Sequence, residues 1–280
     1  MTLKIRPSGE ACGATVTGVD LSQPLDATTI ATLRGFWLEH HVLAFPGQSL
    51  SDDDLERITL CFGSFSADPF IAPVPGREHV IAVERKAEET GPIFAEAWHS
   101  DWSFMASPPD GTLLYGLAIP QAGGDTLFAN QQLAWSSLPA DRRERYRNAV
   151  AVHSARRAYA PDGFYGKDDA GRSMTIRASK SAEAVHRHPL VRPHPETGRP
   201  ALFGCAGYIV DLEGCERPGS EELQELLEWQ TQERFVYRHC WEEGMLVMWD
   251  NRSVLHKATG GYEGRHRLLH RTTIGALASG

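Results

Sequence analysis

A histidine and an aspartate stand one residue apart between two tryptophans in the stretch AEAWHSDWSF, residues 95–104. Charged side chains are rarely buried among aromatic ones unless they are paired or bind a ligand. On a strand, His99 and Asp101 would point to the same side, because side chains alternate between the two faces. An imidazole and a carboxylate that meet at one point can bind a divalent transition metal. The alternative for this pair is a plain His–Asp hydrogen bond at the end of a strand.

His256 is the candidate for a third ligand. It follows an apolar run at residues 245–249 and a polar turn in the sequence MLVMWDNRSVLH. Two histidines and one carboxylate form the facial triad of non-haem Fe(II) oxygenases, which leaves three coordination positions open. A 2-oxo acid would fill two of these positions and dioxygen would fill the third.

Two arginines share one face of the next predicted strand, RLLHRTTI at residues 267–274. Arg267, Leu269 and Arg271 alternate with residues that face the other way. Buried arginines are costly unless anions meet them, and the guanidinium fork matches a carboxylate or a sulfonate. Arg267 is therefore the candidate for the far carboxylate of a 2-oxo acid, and Arg271 for the acid group of a substrate. A solvent-facing side of the strand, or internal salt bridges, would explain the same pattern.

Short strands must position these residues, because Pro and Gly separate apolar segments along most of the chain after residue 79. The predicted strands include HVIAVER, AWHSDWSF, TLLYGLAI, DTLFAN, GMLVMWD and RLLHRTTIGA. Many short strands joined by such turns indicate a sandwich or a barrel. Helices are predicted at residues 26–41, 51–65, 139–149 and 220–235.

The first two helices carry clear start signals. Asp26 can cap the first one, and Ser51 with Asp54 has the spacing of a capping box at the start of the second. The apolar face predicted for the second helix consists of Leu55, Ile58, Leu60 and Phe62.

Residues 157–180 are polar and rich in glycine, with little periodicity. A long stretch of this kind is often an active-site lid, and a passive surface insertion is the alternative. We find no internal repeat and no low-complexity linker, so we expect one domain over residues 1–280 with this segment inserted in it.

Composition limits the classes of function. The chain has 280 residues and a formal net charge of −8, without a dense run of Lys or Arg, which argues against a nucleic-acid partner. Its five cysteines are scattered without a CxxC pair, which argues against a disulfide framework or a Cys-rich zinc site. No apolar signal region opens the sequence, and no apolar run reaches the ~18–20 residues of a membrane span. We therefore expect a cytoplasmic protein that does not bind membranes.

Four segments together resemble one known family. WHSDWSF, GGDTLFAN, HPLVRPHPETGRPALF and the stretch from WDNRSVLH to RHRLLHRTTIG are similar to the taurine dioxygenase/TfdA family. The resemblance covers nearly the whole chain in the same order. It implies a mainly β fold with a double-stranded β-helix core (jelly-roll, cupin-like) and helices packed outside. It also implies Fe(II) as cofactor, with 2-oxoglutarate and dioxygen as co-substrates.

The resemblance also assigns roles to residues. His99, Asp101 and His256 match the iron ligands, while Thr126 of GGDT and Arg267 match the partners of 2-oxoglutarate. Members of the family commonly assemble as dimers or tetramers, so we expect a homo-oligomer. Arg271 occupies the position that binds the anionic group of the substrate in sulfonate-oxidising members.

Several positions depart from the taurine-specific members. Asp68 stands where those have a histidine, Ala95 where they have an asparagine, and Trp102 where a smaller aliphatic side chain is usual. Tyr159 falls near an aromatic substrate contact, and Phe104 is a further predicted contact. These departures argue against taurine as the substrate. They favour a bulkier or aromatic acid, or one that carries a cation for Asp68 to meet.

We therefore predict a dioxygenase that hydroxylates a small organic acid and releases succinate and carbon dioxide. The acid is a sulfonate, a sulfate ester, a phenoxy acid or another carboxylic acid. A second hypothesis keeps the cofactors but has them desaturate or cyclise an amino-acid-like metabolite. A third is a non-enzymatic jelly-roll that binds a metal and an anion.

Overall fold

Strands dominate the chain. The computed structural model describes residues 2–167, 171–214 and 219–275. The strands are β1 (Lys4–Pro7), β2 (Ala14–Thr17), β3 (Val42–Phe45), β4 (Ile81–Arg85), β5 (Gly111–Ala118), β6 (Thr126–Asn130), β7 (Val150–Ser154), β8 (Val185–Pro189), β9 (Val191–Pro193), β10 (Pro200–Leu202), β11 (Ile209–Glu213), β12 (Val236–His239), β13 (Leu246–Asp250), β14 (Val254–Ala258) and β15 (Arg267–Ile274). The helices are α1 (Ala27–His40), α2 (Asp52–Phe62), α3 (Gln131–Ser136), α4 (Ala140–Tyr146), α5 (Arg156–Tyr159), α6 (Phe164–Lys167) and α7 (Gly219–Gln230), with short 3₁₀ turns at Lys180–Glu183 and Glu233–Phe235.

Two sheets form the centre of the fold. The larger has seven strands in the order β1-β2-β3-β13-β5-β15-β4, and the smaller has three in the order β12-β6-β14. β2 and β3 run parallel, whereas β5 pairs antiparallel with both β13 and β15. Strands that are far apart in the sequence thus become neighbours, which brings β14 and β15 close to the segments around residues 100 and 126.

Strand β13 shows where the two cores lie, because it is buried on both faces. Leu246 and Met248 pack into a core between the large sheet and helices α1 and α2. Val247 and Trp249 point the other way, into a core that also contains Phe128 of the smaller sheet. This alternation is the period of two expected for a strand, and it makes the fold two facing sheets with helices on the outer side. The predicted mainly β architecture is confirmed.

The first two helices start as predicted. The Asp26 side chain accepts from the backbone N–H of Thr29, and Ser51 and Asp54 form a reciprocal capping box. The predicted apolar face of α2 is wrong at one position, because Leu60 is 57% exposed. Leu60 follows the buried Leu55 by five residues, which turns it ~140° around the helix axis. None of the helices in the described ranges is long and apolar enough to cross a bilayer.

The remaining strands form two smaller sheets, in the orders β11-β7-β8 and β10-β9. They enclose a separate core with α3, α4 and α7, to which Trp135, Tyr146, Leu226 and Phe235 contribute. This layer supports the smaller central sheet from outside.

The strand predicted for AWHSDWSF is wrong. His99 forms an isolated antiparallel bridge with His256, and the residues that follow make a turn. Within this turn Trp102 has a φ of 46°, in the left-handed region. The backbone N–H groups of Ser103 and Met105 are satisfied by carbonyls three residues earlier, which replaces strand pairing with a turn. His99 and Asp101 therefore converge through a bridge followed by a turn rather than through strand alternation.

The described part of residues 157–180 is docked on the body of the fold; residues 168–170 lie outside the described ranges. It contains most of α5 and all of α6, and Ile176 forms a bridge with Ile71. The Ser173 N–H and hydroxyl both donate to the buried carboxylate of Glu89. Its function as a lid stays a prediction.

We predict that Gly123, in the loop before β6, tolerates no side chain. Its φ is 77°, and a Cβ placed there would lie 2.3 Å from the Gly261 carbonyl oxygen. Gly76 is the matched control, because its φ is 81° but a Cβ there would meet nothing within 4 Å. Gly76→Ala should lower the free energy of unfolding by about 1–2 kcal/mol. Gly123→Ala should lower it by a further ~1–3 kcal/mol from the clash. Urea denaturation measures both values, and equal losses would contradict the clash.

Candidate active site

Three side chains meet at one point beside the bridge between the loop and β14. His99, Asp101 and His256 offer ligand atoms that all lie within 4.8 Å of one another. The Asp101 Oδ1 atom is 3.6 Å from His99 Nε2 and 3.7 Å from His256 Nε2. All three residues are largely buried. Two imidazole nitrogens and one carboxylate oxygen suit a divalent transition metal, so this group could hold one.

In His99 and Asp101, the polar atom that does not face the candidate metal position is hydrogen-bonded within the protein. His99 Nδ1 lies 2.8 Å from the Ala97 carbonyl, so this nitrogen donates and Nε2 keeps its lone pair for a ligand. Asp101 Oδ2 accepts from the Thr112 hydroxyl at 2.6 Å, which leaves Oδ1 facing the histidines. The protein thus fixes which atom of each residue points at the candidate metal position.

A chain of hydrogen bonds holds Thr112 in turn. Its hydroxyl accepts from Asn251 Nδ2 at 2.9 Å, and Asn251 Oδ1 accepts from the Trp249 indole N–H at 3.0 Å. The Ser100 hydroxyl donates to the Asn251 backbone carbonyl at 2.8 Å. The turn after β13 therefore supports Asp101 through Thr112 of β5. Thr112 is not among the residues predicted from the sequence, because its contact with Asp101 is tertiary and leaves no trace in spacing or composition.

Burial and neighbouring charges set the protonation of the site. Burial lowers the pKa of His256 to about 3, so this imidazole is neutral at neutral pH and keeps a free lone pair. Burial alone would raise the pKa of Asp101. The nearby imidazoles and the Arg271 guanidinium outweigh it and hold the pKa of this carboxyl well below its usual range. The group is therefore in the protonation state that metal binding needs.

Thr126 and Arg267 share a neighbour on the facing sheets. The Trp241 indole N–H donates to the Thr126 hydroxyl at 2.9 Å, and the Trp241 ring lies 5.9 Å from the Arg267 guanidinium carbon. Arg267 is 5% exposed and donates to the Gly124 carbonyl, but its Nε has no partner among the described residues. Because the Thr126 hydroxyl accepts from Trp241, its own hydrogen remains available. A buried arginine with an unused donor beside a free hydroxyl fits a carboxylate.

Arg271 sits beside the triad. Its Nη1 lies 3.7 Å from Asp101 Oδ1, and its guanidinium carbon lies 5.0 Å from the centre of the Trp102 ring. Its Nη2 donates to Asp68 Oδ2 at 2.6 Å. The two predicted arginines are therefore buried on the inner face of β15, as the alternation indicated. Internal salt bridges, one of the alternatives for that pattern, account for part of the environment of Arg271.

A cavity of about 230 Å³ opens onto two members of the triad, His99 and Asp101, and onto Arg271, whereas His256 is not among its lining residues. Among the predicted substrate contacts, Ala95, Trp102 and Tyr159 line it, as do Phe94, Trp98, Tyr165 and Tyr208, which the sequence analysis did not single out. Asp68 and Phe104 do not line it. Phe104 packs behind the wall, against the rings of Trp102, Tyr159 and Tyr208. Asp68 lies on the far side of Arg271, where it lines a second cavity of about 200 Å³.

We predict that Thr112 positions the metal ligand Asp101. Thr112→Val keeps the shape of the side chain but removes the hydrogen bond to Asp101 Oδ2. The affinity for Fe(II) should fall by about 10–100-fold, as for other partners of metal ligands. The affinity is measured by anaerobic titration with Fe(II), and the rise in melting temperature with metal concentration is the signal.

Thr273→Val is the matched control for this test. Thr273 pairs with Thr112 across β15 and β5, but its hydroxyl donates to the Ser66 carbonyl. The affinity for Fe(II) should be unchanged in Thr273→Val. Thr112→Ser keeps the hydroxyl, so its affinity for Fe(II) should be much closer to that of the unsubstituted protein than that of Thr112→Val. Equal metal affinity in Thr112→Val and the unsubstituted protein would contradict the positioning role.

Comparisons with known proteins agree with this geometry. Residues 4–273 match the family described as "Taurine catabolism dioxygenase TauD, TfdA family". The chain is 32% identical over 275 residues to an alkylsulfatase of Acinetobacter baylyi, covering 97% of this chain and 84% of the relative. It is 34% identical over 272 residues to an (S)-phenoxypropionate/alpha-ketoglutarate-dioxygenase of Delftia acidovorans, covering 92% and 89%.

The fold is also that of solved structures. A putative alpha-ketoglutarate-dependent taurine dioxygenase from Burkholderia xenovorans matches with a TM-score of 0.81 at 29% identity, covering 98% of this chain and 93% of that one. This similarity confirms the predicted jelly-roll core. The chain belongs to the TauD/TfdA family of Fe(II)- and 2-oxoglutarate-dependent dioxygenases.

Proposed function

We propose that this protein hydroxylates a small organic acid with a bulky or aromatic body, at an Fe(II) held by His99, Asp101 and His256. The observation that carries this proposal is the convergence of three ligand atoms within 4.8 Å at the end of a largely aromatic cavity. When bound, Fe(II) and 2-oxoglutarate supply the oxidising power that inserts an oxygen atom from dioxygen into a substrate C–H bond. Succinate and carbon dioxide are the co-products.

The residues of the chain bind and orient the reactants. Thr126 and Arg267 hold the far carboxylate of 2-oxoglutarate, since both present unused donors in a buried place. Arg271 marks the end of the cavity at which the head group of the substrate lies, and the aromatic walls exclude water from the reacting carbon. The similar proteins named for alkyl sulfates and phenoxypropionate support an acid with an apolar body as the substrate class.

The outcome of the reaction separates the two enzymatic hypotheses. Hydroxylation adds one oxygen atom to the product, whereas desaturation or cyclisation removes two hydrogens, and mass spectrometry tells them apart. Family membership favours an enzyme over the non-enzymatic alternative. The cytoplasmic location and the homo-oligomeric assembly stay predictions.

The decisive experiment measures succinate released by the protein with Fe(II), 2-oxoglutarate and a panel of candidate acids. His99→Ala, Asp101→Ala and His256→Ala should each lower this release by more than about 100-fold. Loss of a ligand costs more than loss of an outer partner, which costs 10–100-fold. His266→Ala is the control, because His266 is an exposed histidine that pairs with Glu84 on the surface. Full turnover in any ligand variant would refute that residue as an iron ligand.

Arg267→Ala tests the 2-oxoglutarate site separately. The dissociation constant for 2-oxoglutarate, measured by anaerobic titration of the Fe(II) protein, should rise by about 30-fold or more. The reason is that removing one partner of a buried charge pair costs roughly 2 kcal/mol or more. Arg238→Ala, which removes a largely exposed arginine paired with Asp125, should leave the constant unchanged. An unaltered constant in Arg267→Ala would exclude the assigned role.

A further inference from the structure

The Arg271 guanidinium is already surrounded by partners from the protein. Asp68 accepts from Nη2 at 2.6 Å, Asp101 Oδ1 lies 3.7 Å from Nη1, and the Trp102 ring covers one face. Within the described ranges, Nε is the nitrogen of this guanidinium that is buried without a partner. Nη2 is thus hydrogen-bonded, and the charge of the guanidinium faces two carboxylates, so Arg271 attracts an anion in the main cavity less strongly than an unpaired arginine would.

Asp68 is held firmly in this arrangement. Its Oδ1 accepts from the backbone N–H of Ile71 at 3.0 Å and of Phe70 at 3.4 Å, and its side chain is only 14% exposed. Because Asp68 lies on the side of Arg271 away from the main cavity, a substrate that enters the main cavity does not displace it. The ion pair between Asp68 and Arg271 thus persists when the substrate binds.

The charges of the loaded site then balance without a substrate. The two positive charges of Fe(II) match the two negative charges of 2-oxoglutarate, Arg267 matches Asp101, and Arg271 matches Asp68. The exposed Arg157 and Glu96, which also line the cavity, carry opposite charges and add nothing to the sum. An anionic substrate adds an uncompensated charge to a buried site, which is unfavourable. Without the Asp68 carboxylate the same site would carry one excess positive charge and would attract an anion.

The walls of the cavity supply a different source of affinity. The rings of Phe94, Trp98, Tyr159, Tyr165 and Tyr208 line it, and aromatic side chains bury large apolar areas against a ligand. Given the proposed function, on which this inference rests, we propose that Asp68 is a specificity-determining residue. It neutralises Arg271, so that the acid group contributes little to binding and the aromatic walls select the substrate by its apolar body.

Two ligands that have nearly the same shape but differ in charge test this inference. They are 3-phenylpropanoate and its neutral counterpart 3-phenylpropanamide, titrated calorimetrically and anaerobically into the protein loaded with Fe(II) and 2-oxoglutarate. The unsubstituted protein should bind the two within about tenfold of each other, a difference of ~1.4 kcal/mol or less. Asp68→Asn should tighten the anion by about tenfold or more and leave the amide nearly unchanged, because a repelling charge has been removed.

Controls separate this effect from misfolding and from general electrostatics. Glu78→Gln removes an exposed carboxylate from the same second cavity without touching Arg271, and it should leave both affinities unchanged. Asp68→Ala repeats the test in case the asparagine variant does not fold, and thermal unfolding verifies each preparation.

Three outcomes would overturn the inference. The first is an anion-to-amide ratio that is the same in the Asp68 variants and the unsubstituted protein. The second is an unsubstituted protein that strongly prefers the anion. The third is failure of both ligands to bind any of these proteins, which would exclude selection by the aromatic walls. Succinate release with the candidate acids is measured in parallel. If no candidate acid gives succinate release, the proposed function is refuted, whatever the anion-to-amide ratio. If succinate is released but the Asp68 variants leave the anion-to-amide ratio unchanged, only the role of Asp68 is refuted.

Discussion

The active site depends on one backbone bridge, between His99 and His256. The N–H of His99 donates to the His256 carbonyl at 3.0 Å, and the N–H of His256 donates back at 2.8 Å. These two hydrogen bonds attach the loop at residues 95–104 to strand β14 of the smaller sheet. Both histidines thereby present their Nε2 atoms to the same point, and the turn after His99 returns Asp101 to it. The bridge thus brings together candidate metal ligands from two segments that are more than 150 positions apart in the chain.

The second constraint is the distribution of charge around this point. Each buried ionic group of the site meets a polar partner: Thr112 for Asp101, Asp68 for Arg271, and the Gly124 carbonyl for Arg267. Buried charges need such partners, because their desolvation is otherwise too costly. The partners also orient the groups, so the side chains of the site are in place before any ligand binds. Within the described ranges Arg267 Nε is buried without a partner, and this is the place proposed for the carboxylate of 2-oxoglutarate.

The sequence predicted those parts of the site that depend on residue type and local period. The inner face of β15 follows from alternation, and the starts of α1 and α2 follow from their capping residues. The strand predicted at AWHSDWSF failed because tertiary bridging and a turn override the local pattern. Thr112 and Tyr208 were not predicted as site residues, because neither stands in a segment whose residue types or spacing indicate a ligand-binding site. The position of Asp68 relative to the substrate was open as well, since only the packing shows on which side of Arg271 it lies.

Local backbone strain flanks the candidate metal ligands His99 and Asp101. Ala95 has a φ of 61° and Trp102 a φ of 46°, although neither is glycine, and the left-handed region costs such residues about 1–2 kcal/mol each. Each is held by its surroundings. The Ala95 carbonyl accepts from the backbone N–H of Ala258 at 2.9 Å, and Trp102 is 1% exposed beneath Arg271. Strained residues persist where the surrounding structure over-determines them, and such places are commonly functional sites. Both positions line the cavity, and both are among those where the resemblance leads us to expect a departure from the taurine-specific members. The backbone therefore bends at these two positions on either side of His99 and Asp101, while the side chains at the bends shape the space that the substrate must fill.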